Sequence, residues 1–476
     1  MNQLIKKGLV YTFIGKFGNI FIMLLLDMIL SRLLSPRVYG IVAILTVFIV
    51  FFQLLSDMGL GPAIIQNKLL SAYDIQLLFN FSIYVAISLA VVFGLMGIPL
   101  QQQYHIKNMP HYTWILSIAV FFYAAIIVPN AVLSKDKMFK IMNINSLIAT
   151  TCGGVVGIVI ALRGGGIYAL LINTIVTSSI LFFLNVSRSS LKFTFYLKAS
   201  PIRKVFHFTV NQLGFNIVNY FSRNLDELLI GKYLTASDVG SYNKSYRLLM
   251  YPSSMLGGIL NPVLLPIMSD YQDDVCAIKN LYIKVQGMLS DFVFPLSVFL
   301  SFSARSIIIV LYGSQWINAI RPFEILSLSI WAQVLNITAG TIFQVRNMTS
   351  RLFMTGMISA GLIVTAIVLG ILQYSIVSIA AYLTIAFILN TVIVLYMVMK
   401  SAFDDSLLPV LKKIYIPILV SSVLYILFTF SDRYLKVDNL ILDIVIRFLT
   451  MSLFIFLSSM LNGNFKYLVR LLFKKN

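Results

Sequence analysis

The chain is short of acid, of cysteine and of polar connections. Only 17 Asp and Glu are spread over 476 residues, and the glutamates are Glu227 and Glu324 alone. Paired-carboxylate glycosidase chemistry needs acids gathered in a sizeable extramembrane site, and no stretch offers them. Two cysteines, Cys152 in an apolar run and Cys276 in a polar loop, make neither a disulfide framework nor a metal cluster. The three histidines are scattered, with His105 and His111 placed in an outer loop and His207 at the start of a weak apolar segment. G-x-x-x-x-G-K-[ST], H-E-x-x-H and G-x-S-x-G do not occur, so no P-loop, zincin or hydrolase chemistry is written here. No catalytic residue, metal or cofactor is expected. Charged residues make up 11% of the chain, against about 25% in a soluble domain. What is abundant is apolar: residues of the AVILMFWYC set reach 59%, with a mean hydropathy of +0.91. A soluble fold could not hide that much apolar side chain, which leaves a polytopic helical membrane protein.

A membrane-crossing helix needs about 20 predominantly apolar residues. Fourteen windows qualify, near 10–31, 38–57, 76–98, 112–130, 142–162, 166–186, 206–226, 244–266, 288–311, 322–343, 352–373, 375–398, 413–430 and 441–461. The first, seventh and eighth are rich in polar residues. The N-terminus reads as a retained span rather than a cleaved signal, because Lys16 and Asp27 interrupt its apolar run. An even number of spans puts both termini on one side. With them in the cytoplasm, 22 of the 36 Lys and Arg fall on inner segments and 12 on outer segments or span mouths, with Lys16 and Arg447 inside spans. Positive charge accumulates on the cytoplasmic side of membrane proteins, so this orientation is favoured. It also accounts for much of the net charge of +19 without nucleic acid. The basic 187–204 loop then suits orientation and contact with anionic membrane lipid.

One internal repeat lines up at an offset of 200 without a gap. Leu30-Ser31-Arg32-Leu33-Leu34-Ser35 faces Ile230-Gly231-Lys232-Tyr233-Leu234-Thr235, and Gly40 faces Gly240. In the same register Asn19 faces Asn219, Asp27 faces Glu227 and Pro62 faces Pro262. The expected organisation is a six-helix bundle over 1–200, a second over 201–400, and two extra helices with a basic tail over 401–476. Span one carries Lys16, Asn19, Met23 and Asp27 at helical steps, so one face is polar. Span seven carries Gln212, Asn216, Asn219, Arg223 and Asp226 in the same way, with Glu227 adjacent. The two most polar spans are therefore repeat mates, and a pseudo-twofold fold would let their stripes face across a cleft. Ionisable groups inside spans are costly and usually line an interior or wet cavity. Asn219 and Gln212 also suit plain helix–helix hydrogen bonding. Asp443 and Arg447, four apart in the last span, read as a structural ion pair, and Asp291 and Glu324 as interface markers.

Several segments resemble the polysaccharide-transporter branch of the multidrug/oligosaccharidyl-lipid/polysaccharide exporter superfamily, and within it the teichuronic acid-type proteins. They are Leu34-Ser35-Pro36 with Tyr39-Gly40, and Asp57-Met58-Gly59-Leu60-Gly61-Pro62-Ala63-Ile64-Ile65-Gln66. In the second half they are Arg223-Asn224-Leu225-Asp226, Leu229-Ile230-Gly231-Lys232, Val239-Gly240-Ser241-Tyr242-Asn243-Lys244 and Tyr246-Arg247. Pro266 with Gln272-Asp273-Asp274, and Leu311-Tyr312-Gly313 with Trp316, complete the set. The resemblance implies an all-α, MATE-like fold: two six-helix bundles around a central cavity, here with two further helices. It implies a flippase, not an enzyme, in the bacterial cytoplasmic membrane. The cargo would be an undecaprenyl-pyrophosphate-linked oligosaccharide for capsule, O-antigen or teichuronic acid, moved by alternating access. Lys16, Arg32, Arg223, Lys244 and Arg247 match in position and chemistry as cavity cations, with Asn19, Asn216 and Asn219 beside them on the stripes. Asp27, Asp226 and Glu227 would couple transport to H+ or Na+. Where the family often has Arg-x-Asp, this chain has one more residue between Arg223 and Asp226. Glycosyltransferases and a polymerase would be partners. Two other readings stay open: an organic-cation exporter of the same superfamily, and a membrane glycan polymerase or ligase.

Overall fold

The computed structural model describes the chain except residues 1, 58, 68–69, 197, 199–219, 222–223, 435–436 and 465–476, and except the side chains of 2–17, 66 and 262. The described residues form helices and connections without a strand. Close packing divides the chain into two units, 1–240 and 241–476. The first holds α1 (Asn2–Leu33), α2 (Pro36–Asp57), α3 (Leu60–Gln66), α4 (Ala72–Leu95), α5 (Gly97–Tyr104), α6 (Met109–Ala125), α7 (Ile127–Lys135), α8 (Phe139–Leu162) and α9 (Ile167–Ser189). Next come a helical stretch at 224–233 and α10 (Ala236–Ser269), whose first turn belongs to the first unit. The second unit continues with α11 (Val275–Phe302), α12 (Ala304–Tyr312), α13 (Ile317–Ser327), α14 (Ile330–Val345), α15 (Thr349–Ile371), α16 (Ile376–Phe403), α17 (Leu408–Tyr434) and α18 (Leu440–Leu461).

Eleven helices or helix runs among the described residues are long and apolar enough to cross a membrane, or twelve with one bent pair. Twelve of the fourteen expected windows coincide with these. The remaining two are α1, a single helix of 32 residues, and 206–226, most of which lies outside the described residues. Among the described residues the count is therefore eleven or twelve.

Hydropathy windows misplace helix ends because they do not see caps. The 288–311 window is cut in two. α11 starts at Val275, where Asp274 accepts a hydrogen bond from the Ala277 amide at 2.9 Å, and it stops at Phe302. The 322–343 window is likewise broken between Ser327 and Ile330, where the chain bends by 54°. His111, expected in a loop, lies in the first turn of α6. Asn108 takes a left-handed conformation (φ 64°) and Pro110 supplies a preset first turn, so the helix begins earlier.

In the first unit α8 packs on α9 and α1, and α4 packs on α6. The interior is built from Ile64, Leu78, Phe79 and Val128, all at most 2% exposed. A relay of amides crosses this interior: Asn145 Nδ2 donates to Asn185 Oδ1 at 2.7 Å, and Asn185 Nδ2 donates to Asn130 Oδ1 at 2.6 Å. Inside a membrane such bonds replace water for groups that would otherwise be orphaned. The basic segment after α9 is strapped along α4. Asn80 Nδ2 donates to Thr194 Oγ1 and to the Tyr196 carbonyl, each at 2.8 Å. Phe195 is left 84% exposed and Lys198 sits over the Tyr73 and Tyr196 rings. Aromatic and basic side chains together suit the membrane–water interface.

In the second unit α11 is central, with 67% of its apolar window buried, and α14, α17 and α18 pack on it. α18 is peripheral, with 11% buried. The carboxylate of Asp291, 3% exposed, pins the C-terminal pair to α11. It accepts hydrogen bonds from Ser458 Oγ (2.7 Å), Asn462 Nδ2 (3.0 Å) and Asn464 Nδ2 (2.7 Å). Asp291→Leu strands those donors in the interior and is expected to cost about 3 kcal/mol, at roughly 1–3 per orphaned group. Asp291→Asn keeps one acceptor oxygen and is expected to cost less. Thermal unfolding of the purified protein measures both, and equal midpoints for wild type and Asp291→Leu would remove this role. At the other end of α11, the hydrogen bond from Lys279 at 3.0 Å holds the Asp405 carboxyl below the ordinary carboxylate range. A lowered carboxyl favours the fold at neutral pH, and that contribution fades as pH falls through its folded value.

The repeat has a structural counterpart at the start of α2 and of α10. A Cβ added to Gly40 would lie 1.6 Å from the Ala236 carbonyl oxygen, and one added to Gly240 would lie 2.0 Å from the Pro36 carbonyl oxygen. Positions 36 and 236, like 40 and 240, are 200 apart. The contact is thus reciprocal and in the register of the sequence repeat.

Candidate functional site

The polar face of α1 contributes Asn19 and Asp27 to the first unit. Asn19 Nδ2 donates to Ser146 Oγ on α8 at 3.3 Å, while its buried Oδ1 has no hydrogen-bond partner. Asp27 is half-buried and accepts a hydrogen bond from the Tyr39 hydroxyl at 3.2 Å, and that hydroxyl accepts one from Ser31 at 3.2 Å. Tyr39 lies in the first turn of α2, just after the short connection from α1, and its amide donates to the Ser35 carbonyl. The carboxylate near the C-terminal end of α1 is therefore held by a short hydroxyl relay. Arg32, in the last turn of α1, is exposed, where its charge also complements the helix C-terminus.

The helical stretch 224–233 supplies the other acids. Asp226 is 4% exposed, and its Oδ1 accepts the Glu227 amide at 2.9 Å. Glu227 is half-buried. Tyr220, one turn earlier, donates to the Val47 carbonyl of α2, and Phe51 stacks near both Tyr220 and Phe221. Asn216, Asn219 and Arg223 lie outside the described residues, as does the side chain of Lys16.

In the second unit Lys244 is 1% exposed. Its ammonium lies 4.6 Å from the Tyr312 ring centroid and 5.2 Å from that of Trp316. A desolvated cation against aromatic faces gains about 2 kcal/mol or more. The turn that delivers Trp316 requires Gly313, whose φ of 96° an L side chain rarely adopts. Arg247, one turn on, is exposed. Sequence reasoning chose Asp27 and Lys244 but not the groups that hold them. Those groups, Tyr39, Tyr312 and Trp316, all sit in the quoted motif segments, so the signal was present.

The first unit holds a hydroxyl-bound carboxylate and a buried one, and the second unit, taken by itself, holds a cation caged by aromatic rings. Among the described residues no group of His, Cys, Asp and Glu is placed to hold a metal ion. Comparison with known proteins agrees with a transport class. The family model described as "Polysaccharide biosynthesis protein" matches residues 29–321. The chain belongs to this family, and the expected membership of the polysaccharide transporter and flippase group is met.

Curated relatives are distant. An "Uncharacterized membrane protein in cps region" of Klebsiella pneumoniae is 24% identical over 63% of this chain and 63% of its own length. The lipopolysaccharide biosynthesis protein WzxC of Escherichia coli is 21% identical over 83% of this chain and 80% of its own length. The teichuronic acid biosynthesis protein TuaB of Bacillus subtilis is 23% identical over 59% of this chain and 58% of its own length. The chain thus spans under two thirds of the Klebsiella and Bacillus proteins. Among solved structures, the lipid II flippase MurJ, inward closed, superposes with a TM-score of 0.75 at 14% identity, covering 96% of this chain and 99% of its own. A multidrug resistance MATE family transporter, inward-facing, gives 0.60 at 12% identity over 78% and 92%. The expected all-α, MATE-like fold is met.

Proposed function

We propose that the chain is a flippase for anionic, lipid-linked oligosaccharide in the bacterial cytoplasmic membrane, with both termini in the cytoplasm. The observation that carries this reading is the repeat: the two spans richest in polar and charged residues are repeat mates in one register. A cleft between them would offer Lys16 and Arg223 to a pyrophosphate, with Asn19, Asn216 and Asn219 to hydrogen-bond sugar hydroxyls. Arg32 and Arg247 would attract the anion at the mouths of the path. Lys244, caged by Tyr312 and Trp316, would set a positive potential rather than touch cargo. The lipid carrier in this reading is undecaprenyl pyrophosphate, and the cycle is alternating access about a site near the membrane midplane. Asp27, Asp226 and Glu227 would take up the coupling H+ or Na+. Relatives named for lipopolysaccharide and teichuronic acid biosynthesis, and the fold shared with a lipid II flippase, support a glycan cargo and make glycosyltransferases and a polymerase the fitting partners. The chain acts without chemistry on its cargo.

Reconstitution tests this directly. Liposomes containing the purified protein and an undecaprenyl-pyrophosphate oligosaccharide should expose the glycan to an impermeant lectin faster than protein-free liposomes. Equal rates would overturn the proposal. A lengthened glycan would instead reveal a polymerase, and transport of ethidium in place of the glycan would reveal a cation exporter.

A further inference from the structure

A cavity of about 850 Å³ lies in the second unit, at the end where α11 and α17 finish and α18 begins. None of its lining residues is among those assigned above to cargo or to the coupling ion. Its polar wall is mostly internally paired. Arg447, 12% exposed, bridges Asp432 and Asp443, the latter at 2.6 Å, and Ser306 Oγ donates to Asp443 at 2.6 Å. Glu324 is held by Arg321 at 2.6 Å. Three groups in the wall remain uncommitted. The Nη1 of Arg447 is buried with no acceptor. Arg305 and Asp438 are exposed and form no ion pair among the described residues. The wall thus presents guanidinium donors that lack an acceptor together with a carboxylate that lacks a cation.

The cavity does not end in polar surface. A groove of about 300 Å³, lined by Phe294, Val298, Trp331, Ile418 and Ile426, shares Leu328 and Tyr425 with it. A mixed-charge head compartment therefore continues into an apolar slot along α11, α14 and α17. The two volumes fall within the usual range of ligand sites, roughly 300–1,000 Å³.

We propose that this is a binding site for a phospholipid with a phosphoethanolamine headgroup. The phosphate would accept from Arg447 Nη1 and from Arg305, the ammonium would donate to Asp438, and an acyl chain would lie in the groove. Complementarity decides the class. Glu324, Asp432, Asp438 and Asp443 outnumber Arg305 and Arg447 in the wall, so a purely anionic head is disfavoured. A choline head cannot donate a hydrogen bond to Asp438, and a free sugar leaves the apolar slot empty. With the termini in the cytoplasm, the lipid belongs to the outer leaflet. The site rests on charge and shape alone, not on transport of a glycan.

Native mass spectrometry of the full chain, equilibrated with palmitoyl-oleoyl phosphatidylethanolamine, phosphatidylcholine and phosphatidylglycerol in equal amounts, tests the site. Phosphatidylethanolamine should be retained about tenfold over phosphatidylglycerol, the change expected for one or two charge-assisted contacts, with phosphatidylcholine between. The R305Q/D438N double variant alters only exposed groups and should bring the three lipids to near-equal retention. Equal retention by the wild type, preference for phosphatidylglycerol, or an unchanged preference in the variant would each overturn the proposal. If the variant fails to fold, the wild-type competition decides alone.

Discussion

Gly40→Ala is expected to destabilise the protein by about 3 kcal/mol or more, above the usual 1–3 for overpacking. The added Cβ would sit 1.6 Å from the Ala236 carbonyl oxygen, a backbone atom that no rotamer change can move aside. Gly240→Ala meets the Pro36 carbonyl oxygen at 2.0 Å and should behave alike. Combining the two should not rescue either, because each clash is with backbone. Gly258→Ala is the control. It lies in α10 like Gly240, but its Cβ would meet nothing within 4 Å. There the gain in helix propensity, about 0.5–1 kcal/mol, should leave stability equal or slightly raised. Unfolding midpoints of the three purified variants measure the contrast. A Gly40→Ala protein as stable as Gly258→Ala would mean that the reciprocal contact of α2 and α10 does not exist.

The second large effect is functional. Lys16→Ala combined with Arg223→Ala should lower glycan translocation about 100-fold or more, since each removes a charge-assisted contact of roughly 1.5–3 kcal/mol. The variant should still insert and purify, because neither span loses hydropathy. Lys16→Arg with Arg223→Lys keeps both charges and should retain part of the rate. Surface polysaccharide in cells and lectin exposure in liposomes read the same quantity at two levels. Wild-type export by the double alanine variant would remove the cationic stripe from the mechanism. That result would leave the fold and the phospholipid site untouched.

Much of the architecture could be read from the residues, and the reason is additive. Whether a segment crosses a membrane depends on its own composition, so twelve windows were recovered without any knowledge of neighbours. The repeat was equally legible, because Gly40 and Gly240 sit in a register that includes Asp27 and Glu227. Asp443 and Arg447 were readable as a pair because i,i+4 spacing is local, and the structure forms that pair at 2.6 Å. The ends of α11 were not legible, since they depend on the Asp274 cap and on a break at Ser303 rather than on hydropathy.

The sequence by itself determined that the chain is an all-α membrane protein, and it set Gly40 and Gly240 at a common offset of 200. Tertiary structure alone decided what the charged groups meet. Asp291, which read as a span-end marker, is bound by Ser458, Asn462 and Asn464 from the end of the chain. Arg447 holds Asp432 as well as its helical neighbour. Lys244 is enclosed by Tyr312 and Trp316 instead of facing water. Hydropathy sums along a chain, residue by residue. The partner of a buried charge is set by which distant helix packs beside it, and no local window carries that information.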